Sequence, residues 1–170
     1  ILSIKNLKLS QNFKVKEIGN IKIDYMDKEN LYNQAQIVKE NKNYKIIGNS
    51  LNINKIVTEL LESNNDKTDF FDKNFRLVFD LKKIYLDKVN STNNLKGFLS
   101  LKENKITEVN LESEFSSKKK ITFTIKTTDN DEKITTLFSS NAKLLVDRYK
   151  FIKGFNEGAL DFYSIKKNNE

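Results

Sequence analysis

The chain has 170 residues, 38% hydrophobic and 31% charged, with a net charge of +7 at pH 7. That length suits one domain with its own core and is too short to argue for two. There is no Cys and no His, which excludes disulfides, thiol nucleophiles and thiolate metal sites, and removes the commonest general base and the commonest transition-metal ligand.

Period-two alternation opens the chain: Leu2 and Ile4, Leu7 and Leu9, Phe13 and Val15, then Ile21, Ile23 and Tyr25 with Lys22 and Asp24 between them. Each set reads as a strand with one apolar and one wet face. Gln11-Asn12, Gly19-Asn20 and Asp27-Lys28-Glu29-Asn30 punctuate the series, which predicts successive antiparallel strands joined by short turns. Residues 31–39 and 44–48 make a further hairpin around Glu40-Asn41-Lys42-Asn43, so that residues 1–50 are a run of strands.

The period then changes. Ile53, Ile56, Val57, Leu60 and Leu61 lie on one stripe of a helix predicted over 52–63, with Asn52 or Asn54 as its N-cap. Residues 63–69 are polar and end it. A meander over 74–140 follows, with Phe75, Leu77, Phe79 and Leu81 on one face and Arg76, Asp80 and Lys82 on the other. At Lys82-Lys83 the apolar positions change parity, because Ile84 and Leu86 are even, and this predicts a bulge or bend. Leu95, Gly97, Leu99 and Leu101 continue the face, then Val109, Leu111, Ser113 and Phe115, then Ile121, Phe123 and Ile125.

The chain closes with a strand over 133–140, an amphipathic helix predicted over 141–150 with Asn141 as its cap and Ala142, Leu145, Val146 and Tyr149 as its stripe, and a terminal strand over 158–167. Two short helices are too few to cover a sheet of this size, yet its apolar face must be covered by something. The expected fold is mainly β: a sheet of this many strands can fold onto itself as a closed β-sandwich, roll into a barrel, or curl into an open trough with an apolar interior, and the residues alone leave the three open.

The stretch 133–163 resembles the end of the AsmA-like domain found in the central region of YhdP-type bacterial envelope proteins. The resemblance rests on Ser139, Ser140, Asn141, Ala142, Leu144, Leu145, Tyr149, Gly158 and Leu160, and upstream on the run from Tyr44 to Ile53. Asn141 stands where Asp is typical, Lys143 where Gly is typical, and Glu157 where the first glycine of a pair would be. The resemblance covers residues 40–167 and carries no active-site residue across.

It implies an extended curved antiparallel sheet forming an open hydrophobic groove, with a closed β-sandwich as the alternative, in the periplasmic part of an inner-membrane-anchored protein moving phospholipid between the inner and outer membranes. Phospholipid acyl chains, the membrane through an anchor outside this chain, and adjacent modules of the same chain are the implied partners. Candidate groove residues are the apolar members of the meander: Phe75, Leu77, Phe79, Leu99, Leu101, Val109, Leu111, Phe115, Ile121, Phe123 and Ile125. Each of these positions also reads as ordinary core.

Other function classes find less support in the residues. No nucleophile with its base, glycine-rich phosphate loop or paired-acid motif stands out, so neither an enzyme nor a cofactor is expected. Asp66, Asp69 and Asp72, and the run Asp129-Asn130-Asp131-Glu132, offer oxygen ligands, but the latter lacks the glycine and distal glutamate of an EF-hand, and no metal site is predicted. The positive charge is almost all Lys, with Arg76 and Arg148 the only arginines, whereas base readout and bidentate phosphate recognition favour Arg. Lys118-Lys119-Lys120 reads as a solvated turn, the aromatics alternate inward, and nucleic acid is not an expected partner. An envelope module without lipid cargo is the remaining alternative. No apolar run approaches the roughly 20 residues that span a bilayer, and the chain opens at Ile1 already inside a strand pattern, which is expected of a piece of something longer.

Overall fold

The alternating segments form strands, and most of them share a single sheet. In the computed structural model the described residues are 1–9, 11, 15–54, 74–102, 105–115, 118–130, 132–149 and 153–167. The strands are β1 (Leu2–Lys5), β2 (Lys8–Leu9), β3 (Val15–Glu17), β4 (Asn20–Met26), β5 (Tyr32–Glu40), β6 (Asn43–Asn52), β7 (Phe75–Tyr85), β8 (Ser91–Lys102), β9 (Lys105–Glu114), β10 (Lys120–Thr127), β11 (Glu132–Ser139) and β12 (Leu160–Lys167). Ten of them make one sheet in the order β1-β4-β5-β6-β7-β8-β9-β10-β11-β12, while β2 and β3 pair apart from it. The sheet is curved and open, not closed into a barrel.

Short polar turns set the order. Asp27 organises the β4–β5 loop: its carboxylate accepts the backbone N–H groups of Glu29 and Leu31 at 2.9 and 3.0 Å, and the side-chain amides of Asn33 and Asn52 at 3.3 and 2.7 Å. Asp87 does the same after β7, accepting from Val89 N and Asn90 N at 2.8 and 2.7 Å. Both are Asx turns, in which a carboxylate replaces a backbone acceptor. In the β5–β6 turn Asn41 takes a left-handed φ of 58°, a conformation Asn tolerates better than most residues.

One junction departs from the expected antiparallel series: β6 and β7 run parallel. Parallel neighbours need a crossover of a dozen or more residues, and the stretch between Asn52 and Phe75 is long enough to supply one. The helix expected over 52–63 falls in this stretch. Beyond Asn54 it lies outside the described residues, as do Asp66, Asp69 and Asp72.

The bend expected at Lys82-Lys83 is present, and it involves three strands. The ladder skips Asn49, Lys82 and Asn94, which lie abreast in β6, β7 and β8, and one-residue register shifts separate β6 from β5 and β8 from β9 at the same level. Asn94 takes a φ of 54° there. The extra residue keeps Leu81 and Ile84, of opposite parity, in one buried cluster with Ala35, Ile46 and Leu95.

Helix α1 (Lys143–Tyr149) is the one helix placed as such among the described residues, and it starts later than the sequence suggested. Ala142, not Asn141, occupies the cap position: its C=O accepts Leu145 N and Val146 N, while its own N–H is used by Gly158 C=O at 2.9 Å. Asn141 is held one step earlier, where its N–H donates to Ser139 Oγ and its C=O accepts from it. Ala142, Leu145 and Val146 are buried as the stripe required. The terminal strand begins at Leu160, after the Gly158 contact.

Candidate functional site

The registers assemble the alternating residues into rows that cross the sheet at right angles to the strands. One row passes through every strand of the sheet: Ile4, Ile21, Ile37, Ile46, Phe79, Gly97, Leu111, Phe123, Leu137 and Phe162 are successive cross-strand partners. Every member is apolar, and only Gly97 lacks a side chain. Of the side-chain-bearing members Ile46 alone is buried; Ile4 and Phe162 at the two ends are 49% and 46% exposed, and the others are half-buried. A flanking row, Tyr44, Leu77, Leu99, Val109 and Ile125, runs beside it across β6 to β10.

At Gly97 the backbone of β9 comes close. The φ of Gly97 is +128°, and a Cβ there would lie 1.9 Å from Asn110 O. The backbone therefore fills the place a side chain would take, and the row narrows between Phe79 and Leu111.

The other face of the sheet is mixed, with polar clusters beside Val78, Phe98, Phe138, Tyr163 and Ile165. Arg76, Ser100 and Glu108 are abreast on β7, β8 and β9; the Arg76 guanidinium donates to Ser100 Oγ at 3.0 Å and Glu108 Oε2 at 2.8 Å, and lies 4.0 Å over the Phe98 ring. Thr124 and Thr136 share a hydrogen bond of 2.6 Å. A shallow depression of about 570 Å³ on this face is lined by Lys22, Asp24, Gln34, Gln36, Asp80 and Lys82, a mixed-charge surface with no convergent donor set.

Of the sequence-predicted groove residues, Phe75, Leu77, Phe79, Leu99, Leu101, Leu111, Ile121 and Phe123 are half-buried on the apolar face. Val109, Phe115 and Ile125 are buried, with 1%, 3% and 7% exposure. The family-motif residues form the corner that joins β11, α1 and β12. Ser139 is fully buried opposite Leu160, Ser140 donates through N and Oγ to Lys120 O, and Leu144 is half-buried on α1 beside buried Leu145. The side chain of Tyr149 lies outside the described residues. Comparison with protein-family models, with curated proteins and with solved structures finds no match.

Among the described residues no group of three acidic side chains is placed to hold a metal ion. Lys118, Lys119 and Lys120 are all exposed, with Lys118 at a left-handed φ of 59° in the β9–β10 turn. Electrostatic perturbation reaches Asp27 and Lys133 among the described groups. Burial would push the Asp27 carboxyl up, but the hydrogen bonds from Asn52, Leu31, Glu29 and Asn33 outweigh it and hold the group below its ordinary value of 3.8. At the far end of the sheet, burial pulls the Lys133 ammonium below 10.5, helped by the like charge of Lys166 directly across the ladder.

Sequence reasoning missed both ends of the long row: Ile4, Ile21, Ile37 and Ile46 on one side, Leu137 and Phe162 on the other. Their alternation was visible. The missing information was the register, since period two gives a face but not which residue sits abreast of which.

Proposed function

We propose that this chain is a segment of an AsmA-like, membrane-anchored envelope protein that shields phospholipid acyl chains along its apolar face during transport between inner and outer membranes, without a cofactor or a covalent step. The observation that carries the reading is the unbroken apolar row through all ten strands, most of it half-exposed. At strand spacings of about 4.8 Å the row extends roughly 43 Å, longer than the roughly 30 Å hydrocarbon core of a bilayer. Each methylene sheltered on such a surface gains about 0.8 kcal/mol. Successive positions along the row are chemically alike, so a chain can slide without a deep energetic trap. The segment acts in the periplasm, tethered by an anchor outside it, and a neighbouring module continues the lining past β1, where Leu2 is 66% exposed.

The test is a photoreactive residue in place of Leu111 or Phe79, with Asn110 or Thr122 on the opposite face as controls. Crosslinks to phospholipid acyl chains from the first pair and none from the second support the reading. Equal labelling from both faces, or none from either, overturns it. The burial of Val109, Phe115 and Ile125 favours a second reading, a packed envelope module without cargo, and protein purified from bacterial membranes with no phospholipid detectable by mass spectrometry would select it.

A further inference from the structure

The last strand presents an edge whose chemistry complements itself. Thr128 N donates to Glu132 O and Ser140 N to Lys120 O, so the even residues of β11 turn their backbone groups to β10 and the odd ones turn theirs to β12. By the same alternation Leu160, Phe162, Ser164 and Lys166 bond to β11, and Asp161, Tyr163, Ile165 and Lys167 direct their N–H and C=O groups outward. Tyr163 and Ile165 are 60% and 51% exposed on one face, and Phe162 is exposed on the other. Natural sheets protect such edges, because an open ladder with apolar side chains recruits another strand.

We propose that β12 pairs antiparallel with β12 of a second copy of this chain, in the register centred on Ser164. Two identical antiparallel strands in one sheet are related by a two-fold axis perpendicular to it, so only registers centred on a residue are allowed. Centring on Ser164 sets Asp161 opposite Lys167, Tyr163 opposite Ile165 and Phe162 opposite Lys166, each pair occurring twice. Every outward-directed residue of β12 then meets another in a hydrogen-bonded pair. Centring on Tyr163 would set Asp161 against Ile165 and Leu160 against Lys166, leaving each charge facing an aliphatic chain. Centring on Phe162 or Ile165 leaves three residues at one end of β12 outside the pairing. Charge complementarity therefore selects one register, and the occupant is a second copy because the strand's own sequence supplies both halves of each pair.

Sedimentation of the 170-residue chain across a concentration series is expected to show a monomer–dimer equilibrium. Reversing one charge, Asp161→Lys, sets like charges opposite at two symmetric positions and weakens association by about tenfold. Lys167→Asp does the same, and the double exchange restores the dimer. The Ser164 pair is a non-hydrogen-bonded one with Cα atoms about 4.5 Å apart, within disulfide range. In a chain free of cysteine, Ser164→Cys therefore oxidises to a covalent dimer and Tyr163→Cys does not. The variants lie on an exposed edge, and far-ultraviolet circular dichroism confirms that each is folded. A wild-type chain that stays monomeric throughout, a double exchange that fails to restore association, or open-ended species larger than a dimer, as pairing of β12 with β1 of the next copy would give, each overturns the proposal.

Discussion

Replacing Gly97 by Ala tests how closely β8 and β9 approach at the middle of the apolar row. The added Cβ would start 1.9 Å from Asn110 O, 2.9 Å from Asn110 C and 3.0 Å from Leu111 Cα, all backbone atoms that cannot rotate away. Two costs add. Holding an L-residue at a φ of +128° costs of order 1–3 kcal/mol. Parting the strands until the contact reaches an ordinary distance breaks or stretches neighbouring ladder bonds, each worth about 1 kcal/mol. The expected loss is about 3–5 kcal/mol. Urea unfolding followed by circular dichroism reads it as a fall in the midpoint at unchanged slope, and a thermal melt as a drop of roughly 10 °C for a chain of this size. Gly154→Ala separates the two costs: Gly154 also has a positive φ, 73°, but nothing lies within 4 Å of the added carbon, so only the conformational cost of about 1 kcal/mol remains. If Gly97→Ala costs no more than Gly154→Ala, the close approach of β8 and β9 is not what the ladder implies.

Side chains of the row and of the buried cluster respond differently to truncation. Leu81→Ala, at 1% exposure, is expected to cost about 3 kcal/mol, whereas half-buried Leu111→Ala costs about 1 kcal/mol; equal losses in urea titrations would mean that the row is internal core. Asp27 gives the chain an acid-sensitive hairpin. Its carboxyl is held below the ordinary 3.8 in the fold, so its contribution is complete above that value and is lost as pH falls through the depressed one. Asp27→Asn should flatten the decline of stability below pH about 4, and an unchanged acid limb would refute that assignment. Asp27→Ala should cost about 2 kcal/mol at neutral pH, since Asn33, 1% exposed, loses one of its side-chain acceptors.

Much of this architecture can be read from residue order. Alternation in β4, β7, β8 and β10 identifies strands and their apolar face, and the change of parity between Leu81 and Ile84 marks the bend before any coordinate does. Asp27 and Asp87 mark their turns for a local reason, because a short carboxylate reaches backbone N–H groups two or three residues on. Three features were not legible. The parallel step from β6 to β7 depends on which edge the chain returns to. The start of α1 depends on Gly158, sixteen positions beyond Ala142, capturing that residue's N–H. The long row depends on register, which turns and bulges set jointly across strands. The apolar residues chosen from the meander lie on strands of one sheet, and only the register extends their row to β1 and β12.

The parallel step divides the sheet into two meanders, one from β1 to β6 and one from β7 to β12, and this gives the chain an assembly order. Within each meander the main ladders join segments close in sequence, the β1–β4 and β11–β12 pairings spanning the longest excursions. The seam between β6 and β7 forms only when the stretch from Asn52 to Phe75 closes on itself. Loop closure must precede the contacts that reward it, so non-local pairing is the slow event. The seam also carries much of the buried cluster, with Ile46 on one side and Leu81 and Ile84 on the other. Each half thus zips early, and their union is the late step at which the molecule commits to a continuous surface.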